Sequence, residues 1–319
     1  MRIVTLLPSA TEIVCALGLA DKLVGVSHGC NRPPIVGALP RMTSTRIPRA
    51  ADSKTIDACV RDHLESGAAL YELALDALRE ARPDVVVSQG LCDVCAVSTG
   101  AVDEAVRSLP GSPVLVDLTP STLNDVFADI ERVAAALDAT AAARTLLTEL
   151  RDRRDAVAAR TAAIPLVRRP RVAFLEWLIP PFNGGHWNPE LVRLAGGIDL
   201  FGAGGEPSRT LDWPEVAAGR PDVVFIACCG FTADRAMQDV GIVRDTAAWG
   251  RLPAVRHGRV YLADGNVYSS PGPRLIDGLE LLAHGLHPDV HPLPAAAAPL
   301  RRYTPGPGDL QRRARCEDT

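Results

Sequence analysis

Short β-branched runs alternate with amphipathic stretches along most of the chain. The opening run RIVTLL is typical of a strand, and Ser9-Ala10-Thr11-Glu12 matches a capping box that starts a helix ending near Gly18. The segment KLVGVSHGC (22–30) predicts a second strand, and both VVVSQ and PVLVDL (113–118) are later strand-like runs. This alternation of strands and helices predicts an α/β fold with parallel sheets.

The second half of the chain repeats the first. RPDVVVSQGLC (82–92) returns as RPDVVFIACCG (220–230), and TEIVCALGLADKLVG (11–25) is echoed by PELVRLAGGIDLFG (189–202). Each copy of the second motif is preceded by a strand-like run, RIVTLL or RVAFLEWL. An internal repeat of this kind predicts two similar lobes.

Residues 121–163 carry no strand signal, and apolar residues recur at helical spacing in their second part. We interpret about 140–163 as one helix, roughly 35 Å long at about 1.5 Å per residue. The fold class is thus α/β, with two Rossmann-like lobes joined by one long backbone helix and a ligand cleft between the lobes. The predicted segments are an N-terminal α/β lobe (1–138), the connecting helix (139–164), a C-terminal α/β lobe (165–290) and a disordered tail (291–319), which is poor in large apolar residues.

The composition of the chain restricts the kind of partner and the cellular location that we expect. A net charge of -4 and the lack of a long basic cluster before the tail argue against nucleic acid or an acidic membrane, so a small molecule is the expected partner. No apolar run approaches the roughly 20 residues that span a bilayer, so we expect no membrane insertion. MRIVTLLPSATE lacks the longer apolar region of a signal peptide, which predicts a cytoplasmic location.

Four of the eight cysteines follow predicted strands: Cys30, Cys92, Cys95 and Cys229. Cytosolic thiols stay reduced, which favours metal binding or redox chemistry over a disulfide. If the lobes face one another, four thiolates suffice for a zinc site or an iron–sulfur cluster. A redox-active Cys92–Cys95 pair and plain apolar packing remain alternatives.

Aromatic and polar residues after the first strand of the second lobe suggest a ligand pocket. Glu176 and Trp177 close that strand, and His186 and Trp187 stand at the entrance of the next helix. They suit a large planar ligand through stacking and one polar or metal contact, with Tyr268 on the rim. Packing of Trp177 in the core is the alternative. The fingerprints of common enzyme classes are missing, which favours a binding protein over an enzyme.

Six motifs are distinctive in combination: LLPSATEIVCALG, LVGVSHGC, LCDVCAV, LEWLIPPFNGGHW, CCGF and VYSSPGPRLIDGLELL. Together they resemble the cytoplasmic cobalamin-binding-like proteins, a branch of the helical-backbone substrate-binding proteins of vitamin and iron-chelate importers. The resemblance implies a ligand held between two lobes, and the cysteines of that branch match Cys30, Cys92, Cys95 and Cys229. We add Ser9, in the first motif, to the predicted ligand contacts.

The leading hypothesis is a non-enzymatic protein that holds a corrinoid (cobalamin-like) or other metal-containing cofactor, with Ser9, Glu176, Trp177, His186, Trp187 and Tyr268 as contacts. The alternative is a protein, possibly an enzyme, with a four-cysteine iron–sulfur cluster or zinc site in the cleft. A thiol oxidoreductase is the third hypothesis. The predicted cytoplasmic location argues against a membrane importer as partner.

Overall fold

The fold is seen in a computed structural model that describes residues 1–48, 51–66, 69–90, 97–294 and 299–304. Within these residues the chain divides into two units. The first unit comprises Met1–Ala51, Thr55–Leu150 and Pro271–Pro273, and the second comprises Asp52–Lys54, Arg151–Ser270 and the described residues from Arg274 onward. Both units are α/β, which confirms the predicted fold class.

The first unit is built on a parallel sheet. Its strands are β1 (Ile3–Thr5), β2 (Leu23–Val26), β3 (Thr43–Thr45), β4 (Tyr71–Leu73), β5 (Val85–Gln89) and β6 (Val114–Leu118). Four of them form the sheet in the order β2-β1-β5-β6, with every pair parallel. Strands β3 and β4 make a separate antiparallel pair. Strands β1 and β5 are central, and their buried positions are apolar except for Thr5 and Ser88, as expected when helices cover both faces of a sheet.

Helices connect these strands. They are α1 (Pro8–Ala16), α2 (Ser53–Ser66), α3 (Leu75–Ala81), α4 (Thr99–Arg107) and α5 (Leu123–Ala136). Short 3-10 turns occur at Ala20–Lys22 and Pro34–Ala38. Helix α5 begins with a true capping box, in which Thr122 and Asp125 bond each other's backbone N–H groups.

Helix α6 (Thr140–Ala162) contains the boundary between the units, which falls after Leu150. Its 23 residues confirm the helix predicted over about 140–163. The exact lobe boundaries proposed from the sequence stay a prediction. No helix in the described part of the chain is both long enough and apolar enough to cross a lipid bilayer.

The second unit carries a mixed sheet. Its strands are β7 (Arg171–Leu178), β8 (Pro181–Asn183), β9 (Ile198–Asp199), β10 (Val223–Ile226), β11 (Val260–Leu262) and β12 (Arg301–Arg302). The order is β12-β11-β10-β7-β8, with β9 also paired to β7. The central strands β7, β10 and β11 are parallel, so their carboxyl ends share one edge of the sheet.

The remaining helices follow β7 along the chain. They are α7 (Asn188–Leu194), α8 (Trp213–Ala218), α9 (Ala233–Val243), α10 (Ala247–Arg251), α11 (Pro253–Arg256), α12 (Gly265–Ser269) and α13 (Leu275–Leu286), with a 3-10 turn at Leu166–Arg168. Beneath them Phe174, Phe225 and Tyr268 form an aromatic cluster with ring centroids 5.4–5.5 Å apart. This cluster is the core on which the strand-end loops rest.

Two local predictions in the first unit are wrong. Helix α1 begins at Pro8, its N-cap is Leu7, and no side chain caps it. Proline fits the first turn of a helix because its missing N–H would have no partner there, so the start lies before the predicted capping box. Strand β2 also ends at Val26, and the chain turns through a bond from the Cys30 N–H to the Ser27 carbonyl.

Part of the predicted tail packs on the second unit, contrary to the prediction of disorder from residue 291. Arg301–Arg302 forms β12, which pairs antiparallel with Tyr261 and Leu262 at the edge of the sheet. Tyr303 is buried, with its ring 5.7 Å from that of Trp249. One aromatic anchor and backbone pairing to an edge strand are enough to hold a segment that has few apolar residues.

A buried carboxyl group in the first unit gives a pH-dependent prediction. Asp129 on α5 is 2% exposed, and burial raises its pKa to about 6 although Arg132 lies 3.0 Å away. The folded protein therefore holds a proton between about pH 4 and about pH 6 that the unfolded chain releases, so stability falls as the pH rises through this window.

We expect Asp129→Asn to remove this loss. The unfolding free energy of the variant minus that of the wild type should increase by about 2 kcal/mol between about pH 4.5 and about pH 7. Urea denaturation at the two pH values measures this difference. A difference that is the same at both pH values would contradict the buried, protonated carboxyl.

Candidate functional site

The carboxyl ends of β7 and β10 carry an aromatic array in the second unit. The half-buried Trp177 ring lies 5.1 Å from the ring of Phe231, and the indole N–H of Trp177 donates to the Ile179 carbonyl at 3.2 Å. Arg235 lies on helix α9, and its guanidinium carbon is 4.3 Å from the centre of the Phe231 ring. We call Trp177, Phe231 and Arg235 the strand-end array.

Buried polar groups hold Arg235 in place. Its guanidinium donates to Asp239 at 2.8 Å, and Asp239 is only 2% exposed. The second carboxylate oxygen of Asp239 accepts a bond from the buried Ser53 hydroxyl. Because both oxygens are used, the Arg235 side chain is fixed before any ligand arrives.

Glu176 supports the loop that follows β7. Its side chain accepts a bond from the Gly185 N–H at 3.2 Å, and hydrogen bonds from Ser208 and Asn188 also reach it. Burial raises the pKa of Glu176, and these hydrogen bonds oppose the rise. Gly185 cannot carry a side chain, since a Cβ there would lie 2.3 Å from the backbone nitrogen of Ser208.

His186 occupies an unusual position in the same loop. Its backbone is left-handed, with φ at +54°, and its N–H donates to the Glu206 carbonyl at 2.6 Å. Its ring stacks on Trp187 with the centroids 5.6 Å apart. The side chain is half-buried, and its Nδ1 atom is buried without a hydrogen-bond partner among the described residues.

Trp187 and Tyr268 lie inside the unit, although the sequence places Trp187 at a helix entrance and Tyr268 on the rim of a pocket. They are 3% and 1% exposed. The indole N–H of Trp187 donates to the Tyr268 carbonyl at 2.8 Å, and the Tyr268 hydroxyl donates to the Gly278 carbonyl at 2.9 Å. Both polar groups are satisfied internally, so these residues support the loop from below.

The two cysteines at the end of β10 differ in burial. Cys228 is fully buried, and burial raises the pKa of its thiol. Cys229 is half-buried, and its N–H donates to the Glu176 carbonyl at 3.0 Å, which fixes it beside β7. Of the two, Cys229 is the sulfur that the strand end presents.

In the first unit, Cys30 and Ser9 are both buried. Cys30 is 1% exposed, and its sulfur lies 3.0 Å from the Thr11 hydroxyl and 3.3 Å from that of Ser27. The hydroxyl of Ser9 is buried and has no partner among the described residues. A ligand role for Ser9 stays a prediction, as do those of Glu176, Trp177, His186, Trp187 and Tyr268.

The four-cysteine centre is not tested. Cys92 and Cys95 lie outside the described residues, and Cys30 and Cys229 belong to different units. In the described ranges, no three or more His, Cys, Asp and Glu side chains are placed to hold a metal ion. An iron–sulfur or zinc site at Cys30, Cys92, Cys95 and Cys229 stays a prediction without support.

Sequence reasoning missed Phe231, Arg235 and Asp239 as site residues. They follow the strand end of the second repeat copy in CCGFTADRAMQD. Arg235 and Asp239 are four residues apart, the spacing at which charged side chains meet on a helix. That spacing, directly after a strand end, was the available signal.

Comparison with solved structures agrees with the fold. A periplasmic heme-binding protein from Pseudomonas aeruginosa aligns with a TM-score of 0.71 and 20% identity over 95% of this chain and 98% of its own. The periplasmic vitamin B12 binding protein BtuF of Vibrio cholerae aligns with a TM-score of 0.61 and 21% identity over 89% and 96% of the two chains. At these identities the likeness shows the fold alone.

Curated relatives span almost the same length. The vitamin B12-binding protein of Vibrio parahaemolyticus serotype O3:K6 is 24% identical over 87% of this chain and 86% of its own. The uncharacterized ABC transporter substrate-binding lipoprotein YvrC of Bacillus subtilis is 24% identical over 91% and 81%. The sequence also matches the family described as periplasmic binding protein over residues 3–267. A match over this much of the chain shows that the protein belongs to the periplasmic binding protein family.

Proposed function

We propose that this protein is a non-enzymatic binding protein for a corrinoid or a related metal-containing macrocycle. The observation that carries the proposal is the half-buried Trp177 ring of the strand-end array, which packs on Phe231, itself 9% exposed and in contact with Arg235. In open parallel sheets, ligands bind beyond the carboxyl ends of the strands, and aromatic faces suit a large planar ligand. Relatives of the same family are named for vitamin B12 and heme, which supports this class of ligand.

The hydrogen bonding of the polar groups around the array favours a ligand-binding role over a catalytic one. Arg235 is paired with Asp239, and Glu176 is bonded to Gly185. Groups fixed by one another in this way are preorganised for recognition, because little ordering remains to be done when the ligand binds.

Location and partner are separate proposals. We retain the cytoplasm as the proposed location, because the cysteines in the described part of the chain form no disulfide and disulfides are rare in cytosolic proteins. The name of the Bacillus subtilis relative supports an ABC transporter as a partner, which would place the protein outside the cytoplasm. Fractionation of the native host, with the protein detected beside marker enzymes of each compartment, decides between the two.

Titration of the full chain with aquocobalamin and, separately, with haemin tests the binding proposal. We expect saturable binding of at least one of them, followed by visible absorption and calorimetry. Trp177→Ala should weaken it by about tenfold or more, because it removes an aromatic face from the array. Trp213→Phe is the control, because Trp213 lies on α8 and packs on Trp249, which is not part of the array; it should leave the affinity unchanged. No saturation by either compound at near-millimolar concentration would remove the proposal.

A further inference from the structure

The two ring nitrogens of His186 lie in different surroundings. Nδ1 is buried and has no hydrogen-bond partner among the described residues. Nε2 is not among the buried unpartnered atoms, and the side chain as a whole is half-buried. Nε2 is therefore the nitrogen that solvent or a ligand can reach.

The backbone and a neighbouring ring fix the direction in which this imidazole points. The His186 N–H donates to the Glu206 carbonyl, and its own carbonyl accepts from the Gly205 N–H at 2.9 Å. These bonds hold a left-handed backbone, at φ +54°, which is strained in a residue other than glycine. The ring rests on Trp187, which is itself anchored to the Tyr268 carbonyl. Such strain persists where the surrounding structure enforces a geometry.

Coordination of a metal by Nε2 does not fit these surroundings. It would require the proton on Nδ1, and metal-bound histidines almost always donate that N–H to a carboxylate, a carbonyl or water. The described part of the chain offers Nδ1 no acceptor. A buried N–H without a partner is destabilising, because it loses its hydrogen bond to water and gains none in return.

The other tautomer fits better. With the proton on Nε2, only a lone pair is buried, and buried unsatisfied acceptors are more common in proteins than orphaned N–H groups. Double protonation would bury an N–H and a charge together. Burial accordingly lowers the pKa of His186.

We propose that His186 donates a hydrogen bond from Nε2–H to an oxygen on the periphery of the bound ligand and does not coordinate its metal. The inference rests on the binding function proposed above and deepens it. The acceptor is a carbonyl-type oxygen, either a carboxylate or a carboxamide.

The first experiment needs no ligand. Nitrogen-15 NMR of the full chain, with the His186 signals assigned by their loss in His186→Asn, reports the tautomer directly. Asparagine is chosen because it tolerates a left-handed backbone. We expect a neutral ring with the proton on Nε2, unchanged between about pH 8 and about pH 6, where ordinary histidines begin to protonate. A proton on Nδ1, or a charged ring at neutral pH, overturns the inference whether or not any ligand binds.

The second experiment uses aquocobalamin and haemin as probes. We expect His186→Asn to weaken binding by about fivefold to tenfold, and His186→Gln, which keeps a longer donor, to weaken it less. The visible spectrum of the bound metal should be the same in wild type and variants. A spectral change on binding that is lost in both variants would identify a metal ligand and overturn the inference. A larger loss for haemin identifies a carboxylate acceptor, and a larger loss for aquocobalamin a carboxamide.

The two proposals fail in distinguishable ways. If wild-type protein binds neither probe, the proposed function falls and the ligand contact falls with it, while the NMR result still decides the tautomer. If wild type binds and His186→Asn binds equally well, the function stands and the hydrogen bond to the ligand is refuted.

Discussion

Gly265→Ala is expected to lower the free energy of unfolding by about 4 kcal/mol or more, the range in which single substitutions are exceptional. A Cβ at position 265 would lie 1.8 Å from the carbonyl oxygen of Cys228 and 2.5 Å from its carbonyl carbon. Both atoms are backbone atoms at the end of β10, so no side-chain rotation can relieve the overlap. The Gly265 N–H also donates to the Phe231 carbonyl at 2.8 Å, so relief by backbone movement would displace the strand-end array.

Gly241→Ala is the matched control. Gly241 lies inside α9, and a Cβ there would meet no heavy atom within 4 Å. Alanine stabilises a helix interior by about 0.5–1 kcal/mol relative to glycine, so this variant should be slightly more stable than wild type. Guanidinium denaturation followed by circular dichroism compares the three proteins. Equal midpoints for the two variants would show that the close approach of Gly265 to β10 does not exist.

The sheet architecture could be predicted because its signals are local. The β5 run opens with three valines and the β10 run VVFI is apolar throughout, and such runs form central strands when helices cover both faces. The repeat of RPDVVVSQGLC as RPDVVFIACCG corresponds to β5 and β10, which occupy the middle of their sheets. Helix α6 was also predictable, since its segment contains few breakers and no strand signal.

The roles of the aromatic residues could not be predicted, because they depend on contacts between distant positions. The Trp187 indole N–H donates to the carbonyl of Tyr268, 81 residues away. Neither residue lies in a periodic apolar pattern that would show whether its side chain is buried or exposed. Trp187 precedes a seven-residue helix and Tyr268 lies in a five-residue helix, so each is too short to show an apolar face. Trp177 and Trp187 consequently look alike in the sequence and differ in the structure.

Trp187→Ala should therefore act on stability, whereas Trp177→Ala acts on binding. Truncation of a nearly fully buried tryptophan leaves a cavity, and here it also leaves the Tyr268 carbonyl without its donor. We expect the free energy of unfolding to fall by about 3–5 kcal/mol. Trp177 is half-buried, and its N–H bonds only the nearby Ile179 carbonyl, so its truncation should cost far less stability.

If Trp187→Ala does not fold, Trp187→Phe still allows the roles of Trp187 and Trp177 in stability and binding to be compared. It retains a ring at position 187 and loses the hydrogen bond to the Tyr268 carbonyl, for an expected cost of about 1–3 kcal/mol. Urea denaturation measures the loss, and titration of the folded variant with aquocobalamin or haemin measures affinity. We expect Trp187→Phe to change the affinity less than Trp177→Ala does, because the ring at 187 is 3% exposed and packs against His186, whereas Trp177 is half-buried. If Trp187→Phe is as stable as the wild type but no longer binds aquocobalamin or haemin, Trp187 contacts the ligand directly.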